Sequence, residues 1–308
     1  MPNQRPADKI RKIYFNNRRL NALGIELLSL DDIRGKLSAE DYARPERVDF
    51  ELLMLVTSGQ GIHTVDFTDW QVSSGSLVIV RPGQVQQWHP DQRFTAELIL
   101  IDPTALPGAV PLISSREATL YKQLEWRTCS TLDPTMRKEF SNTFRLLKDD
   151  IHRFDNSDLE QALCRHQLQT LLLRLARWQR DLSAPIVTHQ QGYKTYHLFI
   201  ALLEQHFSRQ HSLKFYATKL GYSESTINRA CHAAKGQSAK QVIDARILLE
   251  AKRLLVHCEV SVAELAHSLG FSEATNFIKF FRRLTGTTPL LFSRQRSFRQ
   301  AAHKITAH

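Results

Sequence analysis

Hydrophobic positions change their spacing along the chain, and this change divides it into regions. Between about residues 50 and 101, short apolar runs alternate with Gly- and Pro-containing segments, as strands alternate with turns. From Ser115 to Asp181 the apolar spacing becomes about 3.6 residues, which is typical of helices. Helical spacing resumes from Tyr196, interrupted by short turns that contain Gly and Ser. Residues 1–45 predict only a polar arm and one strand.

The strand-rich region predicts an antiparallel sandwich or a small barrel. Its first strong strand is Phe50–Val56, and Ser58-Gly59-Gln60-Gly61 predicts a hairpin-like turn that ends it. Further turns are predicted at Ser73-Ser74-Gly75 and Arg81-Pro82-Gly83-Gln84, and Thr95–Ile101 is predicted as the last strong strand. Apolar runs alone do not determine which face of each strand points inward.

Helices are predicted after the strands. A short one covers Glu117–Trp126, Asp133-Pro134 starts a second, and Asn156-Ser157-Asp158 starts a third that runs to about Gln179. The third carries a wider apolar stripe than one small barrel face requires. We therefore expect helices 134–180 to form a homodimer contact; the alternative is that the stripe only packs on its own barrel.

The last region contains one pattern twice. Ala217-x-x-Leu220-Gly221-Tyr222-Ser223-Glu224-x-Thr226 recurs as Ala266-x-x-Leu269-Gly270-Phe271-Ser272-Glu273-x-Thr275. Each copy predicts a helix-turn-helix unit. It begins with a short helix, continues with a Gly suited to the position past the helix end, and then has a Ser suited to the N-cap of the next helix. The predicted helices are listed in order as Ser212–Leu220, Glu224–Lys235, Ala239–His257, Ser261–Leu269 and Glu273–Leu284.

The two copies differ by one inserted residue. Thr226 aligns with Thr275, but Ile227 aligns with Phe277, so the alignment places the insertion inside the second recognition helix. The two recognition helices therefore need not present equivalent faces, and we expect the two halves to read different bases.

Charge is concentrated in the same region. Residues 195–308 contain 16 Lys and Arg against 7 Asp and Glu, a net charge of +9, whereas the first 194 residues contain 25 against 24. Basic charge confined to the doubled motif favours nucleic acid as the partner. The sequence contains no apolar run of 18 residues that would predict a membrane helix, and no signal peptide is evident. The four cysteines show no paired spacing, which fits a reducing environment, so we expect a cytoplasmic protein.

Recognition helices need short polar or fork-shaped side chains on their outer faces. Ile227, Ala230 and Ala234 predict the inner face of the first helix, and the second is predicted to turn Phe277, Phe280, Phe281 and Leu284 inward. The candidates for DNA contact are therefore Ser225, Thr226, Asn228, Arg229 and His232 in the first helix and Thr275, Ile278, Lys279, Arg282 and Arg283 in the second. Bidentate geometry suits Arg229 to guanine and Asn228 to adenine, and Arg282 and Arg283 suit phosphates. A solvated helix face is the alternative for each charged residue.

The doubled motif resembles the AraC/XylS family of regulators over residues 195–296. The stretches that carry this resemblance are Ala245-Arg246, Glu250–Leu255, Ser261–Ala266, Gly270-Phe271-Ser272, Asn276-Phe277, Phe280–Arg283, Thr285-Gly286 and Thr288-Pro289. The resemblance implies seven helices, with one long helix joining two recognition helices that enter successive major-groove segments. It also implies base-facing positions for Thr275, Ile278 and Lys279, with Ile278 suited to a thymine methyl group, and action on RNA polymerase, usually as an activator.

Residues 45–103 resemble the cupin-like sensor domain at the front of AraC-type regulators, through Leu52–Val56, Gly59-x-Gly61, Gly75-x-Leu77 and Arg81–Gln84. A barrel mouth is a natural ligand cavity. The effector-binding candidates are Met54, His63, Trp70, Arg81 and Trp88; core packing is the alternative for these side chains. Arg81 in the mouth would favour an anionic effector. Only His63 and His89 lie in this segment, too few for a catalytic metal, so no metal or other cofactor is expected.

The sequence thus predicts a two-domain α+β protein. Residues 1–182 form a cupin-like β-barrel with following helices, 183–194 a linker, and 195–298 an all-α double helix-turn-helix domain. The predicted function is a sequence-specific regulator, not an enzyme, that binds promoter DNA and responds to a small-molecule effector, with no membrane partner. The alternatives are a metal-dependent cupin enzyme with a DNA-binding tail and a ligand-independent architectural DNA binder.

Overall fold

The computed structural model describes residues 11–90, 93–106, 127–182, 190–257 and 261–294. The chain divides into two compact units, with the boundary between Ile186 and Val187. Among the described residues, no helix is long and apolar enough to cross a membrane. The predicted helix at Glu117–Trp126 and most of the predicted linker lie outside the described residues.

The first unit is built on one curled sheet that forms a half-barrel. Its described strands are β1 Arg11–Ile13, β2 Ile25–Ser29, β3 Glu46–Val48, β4 Glu51–Val65, β5 Thr68–Ser73, β6 Ser76–Val80, β7 Val85–Gln87, β8 Arg93–Ile101 and β9 Cys129–Thr131, with short helices α1 Leu30–Lys36 and α2 Ala39–Tyr42 and a 3₁₀ turn at Pro103–Ala105. The long strand β4 is central, because it pairs antiparallel with β5, β6, β7 and β8. Only β1 and β3 pair in parallel among the described strands. This architecture confirms the predicted fold class.

The sheet buries a different apolar cluster on each face. On the outer face, Leu53, Ile79 and Ile99 pack with the inner sides of two helices, α3 Pro134–Arg153 and α4 Asp158–Leu182. On the inner face, alternate residues of the same strands form the barrel interior, and these include Leu52, Met54, Val56, Val78, Phe94 and Leu98. Because the sheet is covered on both faces, successive residues of these strands are apolar, as in Leu52–Val56.

The predicted turn at Ser58–Gly61 is wrong, because β4 continues through it to Val65. Thr57 is an extra residue between the pairs Val56–Ala96 and Ser58–Thr95, which makes a β-bulge. Gly59 follows with a φ of +77°, and a Cβ there would collide with the carbonyl oxygen of Arg93. A glycine is therefore needed at this position for close approach of two strands, not for chain reversal.

The chain instead reverses at Asp66-Phe67. Both residues have positive φ, and Val65 pairs with Thr68 around them, as in a two-residue hairpin. The Asp66 carboxylate accepts hydrogen bonds from Gln84 Nε2 at 2.7 Å and from the Val85 backbone N–H at 3.1 Å. These long-range bonds hold a turn whose residues lack the usual Asn-Gly signal.

The second unit consists of helices α5 Gln190–His206, α6 Leu213–Leu220, α7 Glu224–Lys235, α8 Ala239–His257, α9 Val262–Ser268 and α10 Ala274–Thr285, followed by helical residues 289–294. These are seven helical segments in the described part of the unit, as the resemblance implied. Helix α5 begins at Gln190, so the last residues of the predicted linker are helical.

Two apolar clusters organise this unit. One gathers Phe199, Tyr216, Ile227, Cys231 and Ile243 around the first helix-turn-helix. The other gathers residues of α8, α9 and α10 around the second, including Leu265, Phe277 and Phe281. Phe207 and Phe271 pack against both clusters, so the two helix-turn-helix motifs share one continuous core.

Candidate nucleic-acid interface

The first recognition helix, α7, begins at a capped N-terminus. The Ser223 side chain accepts a hydrogen bond from the Thr226 backbone N–H at 3.1 Å, and Gly236 ends the helix in the left-handed conformation. Ile227, Ala230 and Cys231 are buried against the rest of the unit. The opposite side of the helix presents exposed Ser225, Arg229 and His232.

The second recognition helix, α10, has the same length but different ends and core. Glu273 occupies the N-cap position without a side-chain cap hydrogen bond, and Gly286 ends the helix in the left-handed conformation. Phe277 and Phe281 are fully buried, and Phe271 contacts the Phe277 ring edge-on at 5.4 Å between centroids. Its exposed side includes Thr275, Lys279 and Arg282.

Structural register corrects the position of the inserted residue. The left-handed glycines before the helices, Gly221 and Gly270, are 49 positions apart, whereas the glycines that end them, Gly236 and Gly286, are 50 apart. Both helices contain 12 residues, so the extra residue lies in the second turn, before Ala274. The insertion therefore does not rotate the second helix relative to the first, and the bases that each helix reads stay a prediction. The equivalent outward pairs are Ser225 and Thr275, Arg229 and Lys279, and His232 and Arg282.

Two further side chains of α10 differ from the prediction. Leu284, expected inward, is 39% exposed in the last turn of the helix. Asn276 was not among the candidates, yet it is exposed and occupies the position equivalent to Thr226. Reading the second helix in the 50-residue register is the sequence signal that would have included Asn276. Thr226 itself is half-buried, and its hydroxyl hydrogen-bonds the Ser223 hydroxyl at 2.9 Å. Ile278 is exposed on the flank of α10.

Asn228 connects the first recognition helix to the long helix α8. It is half-buried, and its Oδ1 accepts a hydrogen bond from the Ala239 backbone N–H at 2.9 Å, at the start of α8. A bidentate contact to adenine would need this oxygen as well as the amide nitrogen. The geometry therefore favours a tethering role for Asn228 over the expected adenine contact.

Arg283 makes the corresponding connection from the second recognition helix. Its Nη2 lies 3.0 Å from Asp244 Oδ2 on α8, and Lys240 Nζ lies 2.6 Å from the other carboxylate oxygen. Asp244 is only 7% exposed, whereas the Arg283 side chain is mostly exposed. Arg283 thus joins α10 to α8 through an ion pair while most of its side chain stays exposed.

The long helix α8 is itself fixed to α5. Arg246 Nε lies 2.8 Å from Glu204, its guanidinium lies 3.7 Å above the centre of the Phe207 ring, and its Nη1 lies 3.2 Å from Glu250. A planar guanidinium suits simultaneous stacking and ion pairing. These contacts hold the helix to which both recognition helices are tethered.

In the first unit, four of the five effector candidates lie on one side of the sheet. Met54 and Trp88 are buried in the interior cluster, and Trp70 packs against it. His63 is fully buried with its ring centroid 4.5 Å from that of Trp88. Arg81 instead begins the turn after β6, one residue out of phase with the inward-facing Val80.

No three His, Cys, Asp or Glu side chains gather to form a metal site in the part of the chain that the structure describes. The three described cysteines are unpaired thiols, and Cys231 is buried in the first helix-turn-helix core. Burial raises the pKa of Cys231 to about 12, so its thiol stays protonated and acts as a small core residue.

Comparisons with known proteins match both units. A family model described as an AraC-like ligand binding domain matches residues 30–176, and one described as a helix-turn-helix domain matches residues 216–304. The HTH-type transcriptional activator RhaS of Escherichia coli is 24% identical over 248 residues, which cover 78% of this chain and 84% of RhaS.

Two solved structures are also similar to parts of the chain. ToxT of Vibrio cholerae is 10% identical, with a TM-score of 0.42, over 87% of this chain and 97% of the ToxT chain. The DNA-binding domain of AdpA, solved in complex with a target DNA, is 25% identical, with a TM-score of 0.31, over 33% of this chain and 93% of that domain.

Proposed function

Since this chain belongs to the AraC family of transcriptional regulators, we propose that it reads promoter DNA with the outward faces of α7 and α10. Each recognition helix exposes three polar side chains at equivalent positions, and this trio carries the proposal. It consists of Ser225, Arg229 and His232 in α7 and of Thr275, Lys279 and Arg282 in α10. Two helices that present matching polar faces from one bridging helix suit two successive segments of major groove.

Each side chain of the trio suits one kind of contact. Arg229 can donate two hydrogen bonds to a guanine edge, and Lys279 can donate to guanine acceptors at the equivalent place in the second segment. Ser225 and Thr275 are short hydroxyl side chains near the helix N-termini, where they reach base edges or phosphates. Arg282 and Arg283 serve phosphates, which position the protein without specifying sequence.

The first unit supplies control and self-association in this proposal. Its interior binds a small-molecule effector, and α3 and α4 form a homodimer contact. Leu159 on α4 is 76% exposed, and Leu146, Leu163 and Leu173 are also exposed, which supports an additional partner for these helices. The dimer acts with RNA polymerase as a cytoplasmic activator and has no enzymatic role. The name of RhaS, a transcriptional activator, supports activation.

Selection of binding sites from a random DNA pool by the full-length protein tests sequence specificity. We expect one enriched sequence with two contacted segments. Affinity for that sequence should fall steeply with salt, because each neutralised phosphate contributes about −0.9 to the slope of log K against log salt. A flat salt dependence, or a pool without enrichment, would contradict the proposal.

Sedimentation of Leu159→Glu tests the dimer contact separately. Because Leu159 is exposed, the substitution should leave folding intact and shift the protein towards monomer. Leu290→Glu, a matched change of an exposed leucine in the other unit, should leave the dimer unchanged. A monomeric wild-type protein, or an unchanged Leu159→Glu dimer, would remove α4 from the proposal.

A further inference from the structure

The loop that leads into the first helix-turn-helix packs against the turn inside the second. Loop 207–211 connects α5 to α6, and the turn at residues 269–271 follows α9. Nε2 of His211 lies 2.7 Å from the backbone oxygen of Leu269, and it carries the proton because a carbonyl oxygen only accepts. The His211 ring also lies 4.8 Å from the Phe271 ring between centroids. The two motifs are therefore joined here as well as through α8.

Gly270 shows how closely the loop and the turn approach each other. A Cβ at Gly270 would lie 2.6 Å from the carbonyl oxygen of Ser208 and 3.1 Å from the Cα atom of Arg209. The first motif has its equivalent glycine at Gly221, also in the left-handed conformation. In the described part of the chain, nothing outside its own neighbours lies within 4 Å of a Cβ placed there. Close backbone packing is therefore a property of the second turn, not of the motif.

The first motif holds loop 207–211 in place. The Tyr216 hydroxyl donates a hydrogen bond to the carbonyl oxygen of Gln210 at 2.7 Å, and Tyr216 is fully buried in the core around α6 and α7. At the other end of the loop, Phe207 packs against both apolar clusters of the unit. Because both ends of the loop are anchored, His211 has a fixed position relative to the first motif.

Phe271 connects the same contact to the second recognition helix. Its ring centroid lies 5.4 Å from that of Phe277 and 5.2 Å from that of Phe280, and both of these residues belong to α10. Phe277 is fully buried, so a shift of Phe271 would disturb the core on which α10 rests. The position of the turn that His211 holds therefore determines the position of α10.

The bond from His211 to Leu269 is made by an uncharged donor. Burial lowers the pKa of His211, and the hydrogen bond to Leu269 opposes this effect. The charge of Lys240 acts in the same direction as burial, and that of Asp244 opposes it. The imidazole is thus neutral near neutral pH, and an uncharged amide can take its place as donor.

We propose that His211 is a positioning residue. Through its hydrogen bond to Leu269, it fixes the distance and rotation between the two recognition helices, so that the protein accepts one spacing between its two DNA segments. This inference rests on the proposed reading of DNA by α7 and α10, and it adds a specificity determinant that acts through packing. One added base pair moves the second segment by about 3.4 Å and rotates it by about 35°, which a direct joint between the motifs resists.

A set of three DNA sites tests the spacing. The sites are the selected one and two versions with one base pair inserted or deleted between the contacted segments. Full-length wild type should bind the altered sites about tenfold more weakly, as with a mismatched base pair. His211→Ala should narrow this ratio to about threefold, because the contact between the motifs is lost. A loss of folded protein alone would weaken binding to all three sites equally, so the ratio separates positioning from stability.

Two further variants separate the hydrogen bond from the ring. His211→Gln keeps an uncharged N–H donor for Leu269, whereas His211→Phe keeps a ring against Phe271 and has no donor. The glutamine variant should recover most of the wild-type ratio, and the phenylalanine variant should not. His267→Ala, which changes an exposed histidine on α9, is the matched control and should retain the full ratio. A wild-type ratio in His211→Ala or His211→Phe, or an equally narrowed ratio in His267→Ala, would overturn the inference.

A pair of glycine variants tests the joint from its other side. Gly270→Ala and Gly221→Ala each place a Cβ on a left-handed residue, so they share the backbone strain. Only the alanine at 270 would also push the turn away from loop 207–211. We expect Gly270→Ala to narrow the spacing ratio and Gly221→Ala to keep it. The same ratio in both variants would overturn the inference, even if His211→Ala failed to fold.

Hydrogen exchange of the DNA-free, full-length protein separates this inference from the proposed function. The N–H groups of Gly270 and Phe271 donate to carbonyl oxygens of α9 at 3.0 and 2.9 Å. In His211→Ala, exchange at residues 269–273 should accelerate several-fold while α7 exchanges as in wild type. Unchanged exchange at this turn would overturn the inference. If wild type binds no DNA sequence selectively, the proposed function fails, and exchange still decides whether His211 holds the turn.

Discussion

The two recognition helices have the same length and the same outward register, yet each is held in place by different chemistry. In the first, a serine caps the N-terminus, one isoleucine and two small residues face the core, and a neutral hydrogen bond from Ala239 to Asn228 joins the helix to α8. In the second, the cap bond is absent, three phenylalanines fill the core and the ion pair between Arg283 and Asp244 makes the connection.

This difference shows that two copies of a motif can keep the same exposed positions while the caps, core residues and tethers that hold them differ. The first helix depends on local hydrogen bonds, which are set by residues close in sequence. The second depends on aromatic packing and on an ion pair that spans 39 residues. The two motifs should therefore respond differently to core truncation, to salt and to changes at the caps.

Core truncation should give the largest difference. Phe281 and Cys231 occupy equivalent positions, and both are fully buried. Phe281→Ala should reduce the free energy of unfolding by about 3–5 kcal/mol through the cavity it leaves. Cys231→Ala removes one heavy atom and should lose only about 1 kcal/mol. Calorimetry of the full-length variants measures both, and similar losses would show that the two cores are equally supported.

Removal of the central outward side chains should weaken specific DNA binding next. Arg229→Ala and Lys279→Ala should each lose about 1–3 kcal/mol of binding free energy, concentrated at one base pair. Because the two positions are equivalent, the affected base pairs should lie about one helical turn apart. Lys219→Ala on the scaffold helix α6 is the charge-matched control. Binding of each variant to a panel of DNA sites with single-base changes measures where the affinity is lost. An equal loss of affinity for every site would make both residues phosphate contacts.

The two tethers should differ in their response to salt. Asn228→Ala and Asp244→Asn should each lower the stability of the second unit by about 1 kcal/mol at low salt, as lost caps and partly exposed ion pairs do. At 1 M salt the Debye length is about 3 Å, so the Asp244→Asn effect should shrink while the Asn228→Ala effect persists. Melting curves over a salt series would test this, and parallel behaviour of the two variants would reject the distinction.

Cap exchange should have the smallest effects, of opposite sign. Ser223→Ala removes the cap bond to Thr226 and should cost about 1 kcal/mol of stability. Glu273→Ser would supply the missing cap bond, although it removes a carboxylate that is favourable at a helix N-terminus, so a net gain of about 0.5 kcal/mol is expected. If Glu273→Ser destabilises the protein, the carboxylate matters more than the absent cap.

Helix positions were predictable from sequence because local residues determine them. Ser223 and Gly236 mark the two ends of α7, and Asp133 caps α3 by accepting a hydrogen bond from the Met136 N–H at 2.9 Å. The inserted residue was misplaced because both copies contain Ser-Glu-x-Thr, and this identity aligned Thr226 with Thr275. Only the geometry shows that Glu273 occupies the N-cap position.

Strand details were less predictable because distant residues decide them. Ser58–Gly61 has the composition of a turn, but its pairing with Phe94 and Thr95 on β8 keeps the chain extended. The connection of Asn228 to Ala239 likewise depends on how two helices meet, which residue type alone does not reveal. The outward residues of both recognition helices were identified as candidates except for Asn276, and their contacts with DNA stay predictions.

The bulge at Thr57 reverses the phase of β4. Before it, Leu52, Met54 and Val56 face the interior, whereas after it His63 and Val65 do. Deletion of this single residue would remove the bulge and make the alternation regular, with Ser58 next to Val56, so His63 and Val65 would still face the interior. The extra residue is therefore an insertion that the sheet absorbs locally, and loss or gain of it during evolution would leave the lining of the barrel unchanged.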